Sequence, residues 1–107
     1  MKLGIVITTK HAETNWNALR LANFALTKGD EVGIFLIGEG VEYEQAGTER
    51  FNIQNQLKAV LQFEKAQVMA CGTCMKMREQ QGSETCPVSG LEDLYALIAT
   101  SDKVVTF

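Results

Sequence analysis

At 107 residues the chain is long enough for one hydrophobic core and too short for two ordinary domains, so residues 1–107 read as a single domain. A composition of 46% apolar and 21% charged residues excludes a disordered chain. Ten Lys and Arg against thirteen Asp and Glu give a net charge of -3 with the basic residues scattered, so neither nucleic acid nor a membrane is an expected partner: there is no cationic footprint, and the longest apolar runs, Leu3 to Ile7 and Val32 to Ile37, fall far below the ~20 residues of a bilayer span.

Leu3 to Thr8 reads as a first strand. Ala18, Leu21, Ala22, Ala25 and Leu26 then recur at helical spacing, predicting a helix from about Glu13 to Lys28 that Gly29 stops. Glu31 to Ile37 reads as a second strand, and the polar stretch from Gly38-Glu39-Gly40 to Arg50 as a long loop. Ile53, Leu57, Val60 and Leu61 mark a second helix, and Gln67 to Ala70 a short third strand running into Cys71. Residues from Cys74 to about Glu79 favour a short helix, with loop from Ser83 to Val88. Ser89 and Glu92 form a capping-box signature for a helix whose inward stripe is read as Leu91, Leu94, Tyr95 and Ile98, and Lys103 to Phe107 closes the chain as a fourth strand.

Strands alternating with helices imply βαβ units, and so a three-layer α/β/α domain built on a parallel β-sheet. In open sheets of this kind ligands gather outside the carboxyl ends of the strands. Thr8 to Thr14, Gly38 to Arg50 and the segment from Cys71 onward are the loops expected there.

The chemistry-bearing motif is Cys71-Gly72-Thr73-Cys74. The run after Lys2 is only a strand long and no small-residue cleavage site follows it, so a cytoplasmic location is expected. There thiols stay reduced, and three cysteines read as reactive or metal-binding groups ahead of structural disulfides. Cys71, at a strand end before a helix, is placed for its thiolate to be favoured by unpaired backbone N–H groups, with Gly72 allowing a close turn, Thr73 capping and Lys76 and Arg78 adding positive charge. A thiolate of this kind can accept a persulfide's outer sulfur, and Cys74 reads either as a resolving thiol or as a small buried hydrophobe. The bland alternative for Cys71 is an inert buried thiol.

Cys86 reads as an incidental loop thiol, a second acceptor or a disulfide partner. Cys71, Cys74, Cys86 and His11 add up to four soft or borderline ligands for zinc or an iron-sulfur centre, but no second C-x-x-C or paired His supports that reading, and no metal is expected. His11 reads as solvated, or as a proton shuttle to Cys71. The loop of Thr8, Thr9, Thr14 and Asn15 lacks the glycines that wrap a phosphate, so no flavin or nucleotide cofactor is expected. Trp16, Phe24, Phe35 and Phe63 read as core or subunit contacts, and Glu39, Glu42 and Glu44 as a solvated loop.

Glu13 to Ala22, Val32 to Val41, Cys71-Gly72-Thr73-Cys74 with Arg78, and Leu91 to Tyr95 through Ser101 to Val105 together resemble the DsrE/DsrF-like family over almost the whole chain. The resemblance implies a parallel sheet between helices, a homotrimer or homohexamer, and, as in members that relay sulfur, a persulfide carried at the position of Cys71 with sulfur donor and acceptor proteins as partners. Members differ in pathway, and Cys74 and Cys86 are not shared by all relay subunits. Three readings follow: a sulfur carrier of the sulfurtransferase kind working through Cys71, with Cys74 assisting release; a thiol-disulfide redox module using Cys71 and Cys74; and a non-enzymatic oligomeric or metal-binding subunit.

Overall fold

The computed structural model describes residues 1–82 and 87–107. Along the chain come β1 (Lys2–Ile7), α1 (Ala12–Thr27), β2 (Glu31–Leu36), a 3-10 turn (Gly38–Glu42), α2 (Ile53–Leu61), β3 (Ala66–Cys71), α3 (Gly72–Met77), β4 (Val88–Ser89), α4 (Leu91–Thr100) and β5 (Lys103–Thr106). The strands form one parallel sheet in the order β4-β3-β2-β1-β5. The expected α/β fold with a parallel sheet is therefore present.

Among the described residues the sheet has five strands where the sequence suggests four. The extra one, β4, is two residues long and pairs only with Ala70 and Cys71, too short to carry any periodicity of its own. Of the expected Ser83–Val88 loop, residues 83–86, Cys86 among them, lie outside the described residues. The 3-10 turn lies inside the predicted loop after β2.

Period-two alternation sorts the strands between two layers. Leu3, Ile5 and Ile7 of β1, Val32, Ile34 and Leu36 of β2, and Val68 and Ala70 of β3 join a core with Ala18, Leu19, Ala22 and Leu26 of α1 and Ile53 and Val60 of α2. Phe35 and Met69 point the other way and cluster with Cys71 and Leu97. Leu97 sits over the cross-strand pair Gly4 and Gly33, where a Cβ on Gly33 would come 2.4 Å from its Cδ1.

The stripe predicted to face inward on α4 is turned mostly outward. Leu91, Tyr95 and Ile98 are 69%, 75% and 49% exposed, whereas Leu97 is buried and Leu94 half-buried. The helix is apolar on two faces, so spacing alone selects the wrong one. Its start also slips by one residue: Gly90 is the N-cap and its N–H donates to Asp93 Oδ2 at 2.8 Å, while Ser89 belongs to β4.

Two contacts fix the carboxyl end of β1. Thr8 donates from both its backbone N–H and its hydroxyl to the Phe107 carbonyl, each at 2.8 Å, joining β1 to the end of β5. Gly40 lies so close to this end that a Cβ there would stand 2.1 Å from the Ile7 carbonyl oxygen, which leaves the 3-10 turn no room for any other residue. Among the described residues no helix is long and apolar enough to cross a membrane.

Leu97 is the buried anchor of α4, and removing it opens a cavity over the two glycines. Leu97→Ala is expected to lower the free energy of unfolding by about 2–4 kcal/mol in urea titrations, a loss typical of a buried leucine; a change within about 0.5 kcal/mol, the range of surface substitutions, would show that Leu97 does not hold the helix down.

Candidate active site at the cysteine turn

The chain leaves β3 at Cys71 and turns at once into α3. Cys71 is itself the N-cap, with φ -62° and ψ 116°, and no side-chain cap is present. The predicted helix began at Cys74; it starts two residues earlier because Gly72 and Thr73 already have helical geometry, which puts exposed Thr73 inside the first turn and out of the capping role expected of it.

The environment of Cys71 is not the one its position suggested. Its side chain belongs to the apolar cluster of Phe35, Met69 and Leu97 and is 6% exposed. Burial pushes the thiol up from its ordinary value of 9.0. The backbone amides of Cys74 and Thr73 pull in the opposite direction, as a helix N-terminus should, while the Cys74 thiol adds to the rise. Desolvation is the largest effect and wins. With only six residues in α3, little axial dipole opposes it.

Cys74 is half-buried and packs against both hydrophobic clusters. Its Sγ accepts a hydrogen bond from the Gly38 N–H at 3.2 Å. Gly38 has φ +60°, in the left-handed region where glycine is the favoured residue, and this allows the chain to leave β2 and double back over α3. Arg78, one helical turn beyond Cys74, donates from Nη1 to the Cys74 carbonyl at 3.1 Å and from Nε to Glu42 Oε2 at 2.9 Å. The hydrogen bond from Arg78 holds the Glu42 carboxyl below its ordinary value, helped by the charges of Lys10 and Arg78.

The three loops expected at the carboxyl ends of the strands therefore meet in part. The 3-10 turn and α3 are bonded directly to each other, and the charge of Lys10 in the first loop helps to lower the Glu42 carboxyl. His11 is used elsewhere, as the N-cap of α1, its Nδ1 accepting from the Thr14 N–H. Among the described residues no three His, Cys, Asp or Glu side chains come together as a metal site. Cys71 and Cys74 are free thiols, and the expected third cysteine ligand, Cys86, lies outside the described residues.

Glu42 and Gly38 are the residues that reading the sequence left out. Glu42 was grouped with Glu39 and Glu44 as solvated, and the positive charge of Arg78 was assigned to the thiol; the two side chains instead bond to each other. A cleft of about 340 Å³ lies against the same elements, floored by Leu36, Ala70 and Met75 and edged by Gln45, Gln54 and Gln80. Of the four aromatics, Phe35 is fully buried, Trp16 and Phe63 pack on the core, and Phe24 is 62% exposed.

A sequence profile of the DsrE/DsrF-like family matches residues 1–107. An uncharacterized protein of Methanocaldococcus jannaschii is 37% identical over 100% of both chains, and one of Methanopyrus kandleri is 36% identical over 89% of this chain and 83% of its own. The crystal structure of the ychN protein from E. coli superposes with a TM-score of 0.82 over 100% of both chains at 24% identity, a likeness of fold.

Burial of Cys71 sets a sign for two measurements. With Cys74 and Cys86 replaced by Ser, alkylation of Cys71 by iodoacetamide should be slower than that of an open thiol at about pH 8 and should still be rising above the ordinary thiol value; a rate that levels off below that value would contradict a desolvated sulfur. Because the folded-state pKa is the raised one, its contribution to stability is complete below the unfolded thiol value of 9.0 and is lost as pH rises through the folded value. Cys71→Ala should accordingly flatten the fall of unfolding free energy above that pH.

Proposed function

Because the chain belongs to the DsrE/DsrF-like family, which is generally tied to sulfur relay, we propose that it is a sulfur carrier that holds sulfane sulfur as a persulfide on Cys71 and passes it from a donor protein to an acceptor protein. The observation that carries this reading is the place of Cys71: a thiol at the carboxyl end of β3, where the strand turns into α3, with a second thiol three residues on.

In loading, the Cys71 sulfur attacks the outer sulfur of the donor persulfide. The donor S–S bond breaks, its inner sulfur leaves with the electron pair and takes up the Cys71 proton, and Cys71 becomes Cys-S-SH. Burial screens the stored sulfur from solvent thiols. Two releases balance. An acceptor thiolate can take the outer sulfur, restoring the Cys71 thiol. Alternatively Cys74 attacks the Cys71 sulfur, forming a Cys71–Cys74 disulfide and expelling hydrosulfide, after which a dithiol reductant returns two electrons.

The closeness of the two thiols also favours a second reading, a thiol-disulfide redox module that never carries sulfur. It requires both cysteines, whereas the carrier requires only Cys71. Intact mass after incubation with a persulfide donor, under conditions that preserve labile sulfur, separates them. The carrier gains one sulfur in wild type and Cys74→Ser and none in Cys71→Ser. A wild type that gains nothing and instead loses two hydrogens, in a disulfide requiring both residues, would remove the carrier in favour of the redox module.

The carrier is further proposed to act as a homotrimer or homohexamer, with a second copy covering the outer face of α4. Leu91, Tyr95 and Ile98 follow one another at i, i+4 and i+7 on that face, and such an exposed apolar stripe favours association. Light scattering on the eluting protein should give three or six times 11.8 kDa, with Tyr95→Glu shifting the mass downward; a wild-type mass of one chain would end this assignment.

A further inference from the structure

The 3-10 turn and α3 are joined by two rungs. At one end the Gly38 N–H donates to Cys74 Sγ, and at the other Glu42 receives the Arg78 guanidinium. Gly38 opens the turn and Glu42 ends it, while Cys74 lies in α3 and Arg78 is the cap that closes that helix, so the two rungs tie both ends of the turn to α3 and its cap. Arg78 also reaches the Cys74 carbonyl and thus braces the helix turn that carries the sulfur. The amides of Ile37 and Gly40 are taken by the carbonyls of Ile7 and Ile37, whereas the Gly38 amide meets the thiol.

We propose that Glu42 and Arg78 are positioning residues for Cys74, holding the 3-10 turn against α3 so that the Gly38 amide stays aimed at the Cys74 sulfur when that sulfur acts as a nucleophile. The function of this arrangement rests on the proposed sulfur carrier, where Cys74 is the thiol that frees the cargo; the arrangement itself is tested without any sulfur transfer. A hydrogen bond to a charged atom is about twice as strong as one between neutral groups, so a donor held on the sulfur matters most while that sulfur attacks. The ion pair, with its side chains 27% and 33% exposed, adds little to global stability, so its loss should register in reactivity before it registers in melting.

Charge and positioning predict opposite signs at Glu42. Removing a carboxylate near a thiol, by charge alone, favours the thiolate and speeds alkylation. Removing the clamp withdraws the Gly38 donor and slows it. The experiment uses the full chain carrying Cys71→Ser and Cys86→Ser, which leaves Cys74 as its one thiol, with iodoacetamide rates measured at neutral pH in that parent, in Glu42→Ala and in Glu42→Gln.

Glu42→Ala should react roughly three- to tenfold more slowly than the parent, because the hydrogen-bond donor that supports the attacking sulfur is withdrawn. Glu42→Gln, which can still accept from Arg78, should recover part of the rate. In the parent the Gly38 amide resonance should move as Cys74 ionises. A Glu42→Ala rate equal to or above the parent's overturns the proposal, as does a Gly38 resonance indifferent to that ionisation. Should Glu42→Ala fail to fold, the Gly38 resonance of the parent decides alone. Failure of the sulfur-carrier reading would appear in the persulfide mass experiment and leave these rates untouched.

Discussion

Everything at the site depends on the strict alternation of side chains along β2 and β3. The parallel register pairs Ile34 with Val68, Phe35 with Met69 and Leu36 with Ala70, so each row of the pleat faces one layer only. Because Ala70 faces α1 and α2, Cys71 must face α4, where Phe35, Met69 and Leu97 exclude water. A slip of one residue would exchange these surroundings entirely. The burial of the candidate nucleophile is therefore a consequence of sheet register, settled before any local feature of the turn acts.

That ordering explains why a familiar argument about cysteines at helix starts gives the wrong sign here. The amides of Thr73 and Cys74 are present and do favour the thiolate of Cys71. They belong to a helix of six residues, however, and are set against removal of the sulfur from water. Three residues later the surroundings differ: Cys74 is half-buried, and its hydrogen-bond donor comes from across the site, from just beyond β2. The two sulfurs of one motif thus meet different physics, one desolvated by the sheet and the other addressed by a turn.

Much of the fold was legible because the features that specify it are local. The runs in β1 and β2, the spacing of α1 and the positive-φ stop at Gly29 carry their own signals. What escaped is non-local. Two residues of β4 have meaning only beside Ala70 and Cys71, and α4 shows two apolar faces whose choice is made by the Gly4–Gly33 pair far away in the chain. Cys71 and Cys74 were visible as a motif. Their partners were not, since Gly38 and Glu42 lie 36 residues from Cys74 and Arg78, and nothing in an acidic loop announces which carboxylate will find an arginine.

Cys74 packs against both hydrophobic clusters, so its sulfur lies where the two layers of the domain meet. Interiors are close-packed, and an atom added or a bond formed at such a junction must be accommodated on two sides at once. The room available to Cys74 is accordingly set jointly by the core under α1 and α2 on one side and by the cluster of Phe35, Met69, Cys71 and Leu97 on the other. Steric tolerance for covalent change at this sulfur is a property of the whole sandwich, and trimming a side chain in either layer would alter it.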